Sequence, residues 1–550
     1  MKLSDLFIQC LENEGVKYVF GVPGEETEDL LFSMKDSTVQ FIPTRHELGA
    51  AFMANVWGRL TGRAGVCLAT LGPGATNLFT GVADANMDKA PVVAITGQGG
   101  TSRMHLESHQ YLNIINMFKP ITKWNTAVAS TNVVPEIVRK AFKIAEFEKP
   151  GATHIELSED LAHQEATGVC EPIPVIRLRR PAPDYKALKQ SIDLLKNASR
   201  PLIMAGNGAI RKQASKQLNL LVRKFGIPVV STFMGKGAIS DRMDQSLLTI
   251  GLGFTDYIME AVQEADLILT VGYDIAEYAP QKWNLNNRKR IVHIDFVPSE
   301  VYTSYTPEVE CIADISAVLW EINQALQPED VHFDQDWYRP IRKRILADIA
   351  SYDLKDGDAF TVPGTLNEIR RILDDYGLMI SDVGSHKMWI ARNFPTYVPN
   401  GCIISNGLAS MGIALPGAVA ASLVDPNRQI VACMGDGGFM MNSQELETAK
   451  RLGVNFTAVV FNDNDYGLIR WKQTMSKGSA TGTSLTNPDF KAYVESFGIK
   501  AYRPESVSEL RTHLEEAIHS AELAVVEVPV QPQVNYELIE KLNNYWRDRS

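Results

Sequence analysis

The stretch VACMGDGGFMMN (Val431–Asn442) sets an aspartate between glycines just where an apolar strand runs out. Further on, VVFNDNDYG (Val459–Gly467) repeats the pattern, an apolar strand running into Asn and Asp. In parallel α/β sheets, ligands gather beyond the carboxyl ends of strands. Gly435, Gly437 and Gly438 allow backbone N–H groups to approach an anion without a Cβ in the way. Asp436 is a short, hard-oxygen ligand of the kind Mg²⁺ takes. Asp463 stands 27 positions later, and a strand–helix–strand unit of that length returns the chain beside its starting strand. Each motif alone also fits a plain turn or loop. At this spacing, both after apolar strands, the two predict a shared cation that bridges to a phosphate.

Working outward, three α/β blocks emerge. Residues 1–167 alternate strand-like runs (YVFGV, FIP, GVCLAT, VVAIT, THIEL) with helical stretches, the pattern of a parallel sheet covered on both faces. The proline-rich GVCEPIPVIRLRRPAPDY (Gly168–Tyr185) reads as a linker. Residues 186–330 carry PLIMAG, IPVVST, LILTVG and IVHID, and residues 365–550 carry GLMISDVG, CIISN, QIVACMG, FTAVVFN and LAVVEVPV. The expected fold class is α/β, with three doubly wound parallel-sheet domains. At 550 residues the chain is too long for one core.

The net charge of −11 argues against a general polyanion binder, so no nucleic-acid partner is expected. No window reaches the roughly 20 apolar residues of a membrane span, and the N-terminus lacks a signal-peptide stretch. The six cysteines are scattered without a C-x-x-C pair, which suits reduced thiols. A soluble, cytoplasmic protein is the expectation.

The GDG motif followed by Asn-Asp resembles the cofactor signature of thiamine-diphosphate (ThDP) enzymes, whose three-domain order matches nearly the whole chain. That resemblance implies Mg²⁺ held by Asp436, Asp463 and the main-chain carbonyl of Asp465, with Tyr466 beside the cofactor. TRHELGAAFMANVWGRLTG resembles the segment whose glutamate, here Glu47, touches the aminopyrimidine ring and promotes loss of the cofactor's C2 proton. NGLASMGIALPGA resembles the segment whose Met, here Met411, wedges the cofactor into a bent shape. SDVGSHKMWIARNF resembles a diphosphate-binding loop, through Ser385 and His386. Val22 and Gly24 in FGVPG, with Pro73 and Asn77 in LGPGATN, look like the pyrimidine-side wall. Taken singly, Glu47 reads as a solvated helix charge and Met411 as core packing.

Within that superfamily the chain is similar to acetolactate synthases, which join two 2-oxoacids with loss of CO₂. The long runs GPGATNLFTGVADANMDKAPVVAITGQ and GDGGFMMNSQELETAKRLGVNFTAVVFNDNDYGLI carry this likeness. Pyruvate decarboxylases have adjacent histidines where this chain reads His109-Gln110. A neutral amide at Gln110 removes one proton donor and favours ligation over aldehyde release. A decarboxylase, or a carboligase with another acceptor, is the alternative. Lys472 in YGLIRWKQ stands where biosynthetic members carry a tryptophan that shapes the acceptor pocket. In a partly buried pocket Lys472 would pair with a substrate carboxylate; otherwise it snorkels to solvent.

GYDIAEYAPQKWN resembles the flavin-free, catabolic members, whereas STFMGKGAI is nearer the FAD-binding pattern. AGNGAI, with Gly206 and Gly208, lacks the third glycine of a dinucleotide motif. The flavin-free reading is preferred to FAD. A nicotinamide dehydrogenase fails for want of a complete G-x-G-x-x-G, and a catalytically silent binding protein is disfavoured by Glu47, Asp436 and Asp463 together. The resemblance also implies active sites between subunits, hence a homodimer or homotetramer acting on small 2-oxoacids.

Overall fold

The computed structural model describes residues 1–176 and 180–549. The linker reading of Gly168–Tyr185 therefore lies partly outside the described residues, at residues 177–179.

Among the described residues the strands form three six-stranded sheets, every neighbouring pair parallel. The first comprises β1 (Tyr18–Gly21), β2 (Gln40–Pro43), β3 (Gly65–Ala69), β4 (Val92–Gln98), β5 (Trp124–Ala127) and β6 (Ala152–Ser158). Its order is β2-β1-β3-β4-β6-β5. The central sheet holds β7 (Pro201–Ala205), β8 (Val229–Ser231), β9 (Ser246–Thr249), β10 (Leu267–Val271), β11 (Arg290–Asp295) and β12 (Val309–Ile312), in the order β12-β11-β10-β7-β8-β9. The third holds β13 (Leu378–Ser381), β14 (Cys402–Ile404), β15 (Ile430–Gly435), β16 (Thr457–Asn462), β17 (Lys500–Tyr502) and β18 (Ala524–Pro529). Its order, β14-β13-β15-β16-β18-β17, repeats the first sheet's topology strand for strand. The central order, counted from β7, is instead that of dinucleotide-binding folds.

The inner strands are apolar on both faces because helices cover both. All residues of β3 and β4 are buried, as are Ile430–Met434 of β15. Four strands absent from the sequence reading, β5, β9, β12 and β17, all lie at sheet edges. Edge strands are short, so their apolar signal is weak: every residue of β5 is only partly buried, and β9, though buried throughout, spans only Ser246–Thr249.

The first and third regions are joined by two helices packed face to face. Helix Glu47–Thr61 follows β2 and helix Ala414–Val424 follows β14. Ala50, Met53, Ala54, Ala414, Ala418 and Ala421 sit in one buried cluster. Small residues let the backbones approach closely: a Cβ on Gly417 would come within 2.9 Å of Val56 Cγ2. Among the described residues no helix is long and apolar enough to cross a membrane.

Candidate active site

The GDG and NDN stretches end adjacent strands, because β15 pairs with β16 in register from Val431–Thr457 to Gly435–Phe461. Asp436 opens a short helix (Asp436–Asn442) directly after β15. Asp463 follows β16. Its carboxyl pKa is pushed up to about 7, by burial first and then by the like charges of Asp436 and Asp465. Burial also raises Asp436. No lysine or arginine pairs with Asp436 or Asp463 among the described residues, where no cluster of three or more side-chain metal ligands occurs either. Asp465 is different. Arg470 holds its Oδ2, while Oδ1 is buried without a partner.

The turn between them is tightly specified. Asn464 adopts a left-handed φ of 54°, and Leu485 N donates to Asn464 O at 2.8 Å. Asn487 Nδ2 donates to Asp436 Oδ2 at 2.6 Å and to Asn462 Oδ1 and Asn464 Oδ1, each at 3.1 Å. Sequence reasoning missed Asn487, which follows no strand and carries no motif. The glycines have a second task besides anion approach: a Cβ on Gly437 would meet the Tyr466 ring at 2.9 Å, and one on Gly438 would meet Asp382 Oδ1 at 2.9 Å.

These groups surround a cavity of about 110 Å³ lined by Ser385, His386, Met411, Asp436, Asp463 and Tyr466, with Gly435, Gly437, Gly438 and Asp465. The backbone after β13 delivers Ser385 and His386 at the start of helix Ser385–Asn393. His386 is neutral, its pKa lowered to about 3 by burial, and its Nε2 is buried without a partner. An unpaired ring nitrogen, glycine-lined backbone and two unpaired carboxylates are the donor set that a hard cation carrying a diphosphate needs. The residues present fit that group.

Glu47 lies elsewhere, at the ends of β1, β2 and β3. It opens helix Glu47–Thr61 and is buried, and Asn77 Nδ2 donates to its Oε2 at 2.9 Å. Gly24 packs on Thr70, 2.3 Å from Thr70 Cβ to an added Cβ, and Thr70 Oγ1 donates to Glu26. Val22 is half-buried and Pro73 exposed at the first turn of helix Pro73–Met87. Gln110 comes to this end too, where a Cβ on Gly72 would be 2.7 Å from Gln110 O; its side chain is exposed and its φ is +58°. None of these residues lines the third region's cavity. One chain thus carries two half-sites. Within one chain Lys472 joins neither: it is exposed on helix Gly467–Lys477 and absent from the cavity wall. Its neighbour Trp471 is the buried member, packed on Phe254 with ring centroids 6.1 Å apart.

Three models of thiamine pyrophosphate enzymes match the chain: the N-terminal TPP binding domain over residues 1–118, the central domain over 188–322, and the C-terminal TPP binding domain over 382–528. The acetolactate synthase of Bacillus subtilis is 34% identical over 547 residues, 97% of this chain and 94% of that protein. The chain belongs to the acetolactate synthase family of thiamine pyrophosphate enzymes. Other relatives of this family are the catabolic acetolactate synthase of Raoultella terrigena, 33% identical over 98% of this chain and 97% of that protein, and the probable acetolactate synthase large subunit of Methanocaldococcus jannaschii, 33% identical over 97% and 92%. This thiamine pyrophosphate enzyme has a dinucleotide-type central sheet, yet its first turn is internally occupied. Glu277 accepts from Asn207 N at 3.0 Å, from Met234 N at 3.3 Å and from Thr232 Oγ1. One backbone donor of that turn, Asn207 N, is thus already engaged by a carboxylate.

Proposed function

We propose that this chain catalyses the ThDP- and Mg²⁺-dependent joining of two pyruvate molecules into 2-acetolactate with release of CO₂. The observation that carries this reading is the unpaired Asp436–Asp463 carboxylate pair, set beside a phosphate-sized cavity in a chain alike to acetolactate synthases over its whole length. Asp436, Asp463 and the carbonyl of Asp465 hold Mg²⁺, and Ser385, His386 and the 435–438 backbone hold the diphosphate. Bound there, ThDP supplies the nucleophilic carbon that takes up a 2-oxoacid and stores the electron pair left by CO₂. Met411 forms the cavity wall that fixes the cofactor's bend. Glu47, oriented by Asn77, holds a proton at the aminopyrimidine ring nitrogen.

Because the half-sites are separate within one chain, two copies complete each site, which supports a homodimer or homotetramer with sites between subunits. We read the central domain as flavin-free, on the carboxylate of Glu277 in the dinucleotide turn. Gln110 presents no acidic proton near the pyrimidine side, which favours attack on a second carbonyl over release of aldehyde. A cytoplasmic location agrees with six free cysteines.

The test is a pyruvate assay with Mg²⁺ and ThDP that scores acetolactate against acetaldehyde. Acetolactate as the main product is expected. Acetaldehyde as the main product, or no turnover of pyruvate while another 2-oxoacid or acceptor is consumed, overturns the choice of reaction.

A further inference from the structure

The loops bearing Glu47 and Met411 occupy equivalent places, after β2 and after β14 in sheets of identical order. Each loop is held by buried carboxylates from the opposite region. Glu445, fully buried in helix Glu445–Leu452 of the third region, reaches across to the first. Its Oε1 accepts from Arg45 N at 3.0 Å and His46 N at 3.1 Å, the two amides ahead of Glu47, and Thr448 Oγ1 braces its Oε2 at 2.6 Å. Gly49 makes room, since a Cβ there would stand 2.7 Å from Glu445 Oε1.

The reverse contact comes from helix Pro73–Met87. Asp84 and Asp88, one turn apart and both buried, face the loop that ends at Met411. Asp84 Oδ1 accepts from Ser405 Oγ at 2.7 Å and Ser410 N at 3.3 Å. Asp88 Oδ1 accepts from Gly407 N at 2.6 Å and Asn406 N at 3.3 Å, with Arg59 at 3.3 Å as its counter-cation. Between them Ala409 sits at φ +59°, a conformation that needs outside support. A carboxyl oxygen facing buried backbone N–H groups gives them a partner that a different loop conformation would lose.

We propose that these are reciprocal positioning clamps: Glu445 places Glu47, and Asp84 with Asp88 place the 405–410 approach to Met411, while Asp382 of the third region holds Gly412 N at 2.8 Å and Ala414 N at 3.1 Å beyond it, so each loop is aligned in part by the region that does not contain it. The functional consequence rests on the ThDP reading above; the clamps themselves do not. Hydrogen–deuterium exchange of the full chain without cofactor separates the two. In Glu445→Ala, exchange at residues 44–48 speeds up by about tenfold or more while residues 404–412 stay as in wild type. In Asp88→Ala the pattern reverses. Glu445→Gln keeps one acceptor oxygen and restores most of the protection. With ThDP bound, Glu445→Ala lowers kcat by roughly tenfold and leaves the pyruvate KM within about twofold. Ser405→Ala, which spares every carboxylate, speeds exchange at 404–412 only and guards against a variant that fails to fold. Unchanged loop exchange in folded variants, or equal loosening of both loops, overturns the proposal. Failure of the wild-type chain to bind ThDP would instead overturn the cofactor reading and leave the exchange result standing.

Discussion

The first and third regions share one strand order, yet they carry their carboxylates at different strand ends. After β15 and β16 the third region presents Asp436 and Asp463 with no cation partner and glycine on either side of the first. After β1, β2 and β3 the first region presents Glu26 and Glu47, each already satisfied by a neighbour, Thr70 and Asn77. What separates them is charge rather than hydrogen bonding: Asp436 also accepts from Asn487 and Gly437, yet no cation offsets the Asp436–Asp463 pair, whereas Glu47 stands alone. On the function proposed above, one scaffold supplies an anchor in one copy and an acid–base group in the other, and function resides in the strand-end loops rather than the fold.

If that contrast is right, the two regions separate into rate and affinity. Glu47→Gln should cost the most. Acetolactate formation falls by roughly 10²–10⁴-fold, the scale of general acid–base catalysis, while ThDP affinity stays within a few fold. Titrating ThDP into the variant while following turnover checks both; a large loss of affinity at Glu47 would erase the contrast.

The mirror experiment comes next in size. Asp463→Asn should weaken Mg²⁺-supported ThDP binding by about 100-fold, with activity partly regained at high Mg²⁺ and cofactor. Equilibrium titration of cofactor at several Mg²⁺ levels reads this directly. Binding that is indifferent to the substitution would move the metal elsewhere.

A smaller effect is expected at Gln110, exposed beside Gly72 on the pyrimidine side. Gln110→His supplies a proton donor and should raise the acetaldehyde-to-acetolactate ratio about tenfold, less than a fully placed general acid would give. Product analysis by chromatography decides it. An unchanged ratio would show that neutrality at this position does not choose the product.

Much of this contrast was legible in the sequence, and the reason is where its information lies. Inner strands buried on both faces read as continuous apolar runs, so QIVACMG and FTAVVFN announced β15 and β16 together with the aspartates ending them. The edge strands β5, β9, β12 and β17 have one neighbour and only three or four residues each, so WNTA and its counterparts carried no such signal. Asn487, Glu445, Asp84 and Asp88 stayed hidden for another reason. They bond to backbone or to a motif residue far along the chain, and no local pattern encodes a partner some 400 positions away, as between Glu445 and Arg45. Trp471 and Lys472 stand about 100° apart around their helix, with Trp471 on the buried face and Lys472 exposed in the single chain.

The central region extends the comparison to a third case, a carboxylate that is satisfied and also fully enclosed. Burial pushes Glu277 up to about 7, against the lowering effect of Thr232, Asn207 and Met234. Its folded pKa stands above the unfolded value of about 4.3, so the native state binds the extra proton. The stability it contributes is complete below the unfolded value and is lost as pH rises to about 7. Over that window the loss is on the order of 4 kcal/mol at most. Glu277→Gln is neutral throughout and removes this part of the slope. Thermal unfolding from pH 5 to 7.5 should therefore show the variant gaining a few degrees on wild type as pH rises, whatever its stability at pH 5. Glu156 and Asp382, also raised by burial, titrate in both proteins and cancel in the difference. Parallel curves would mean that the dinucleotide turn does not hold an ionisable carboxylate at its centre, and the flavin-free reading would lose its physical basis.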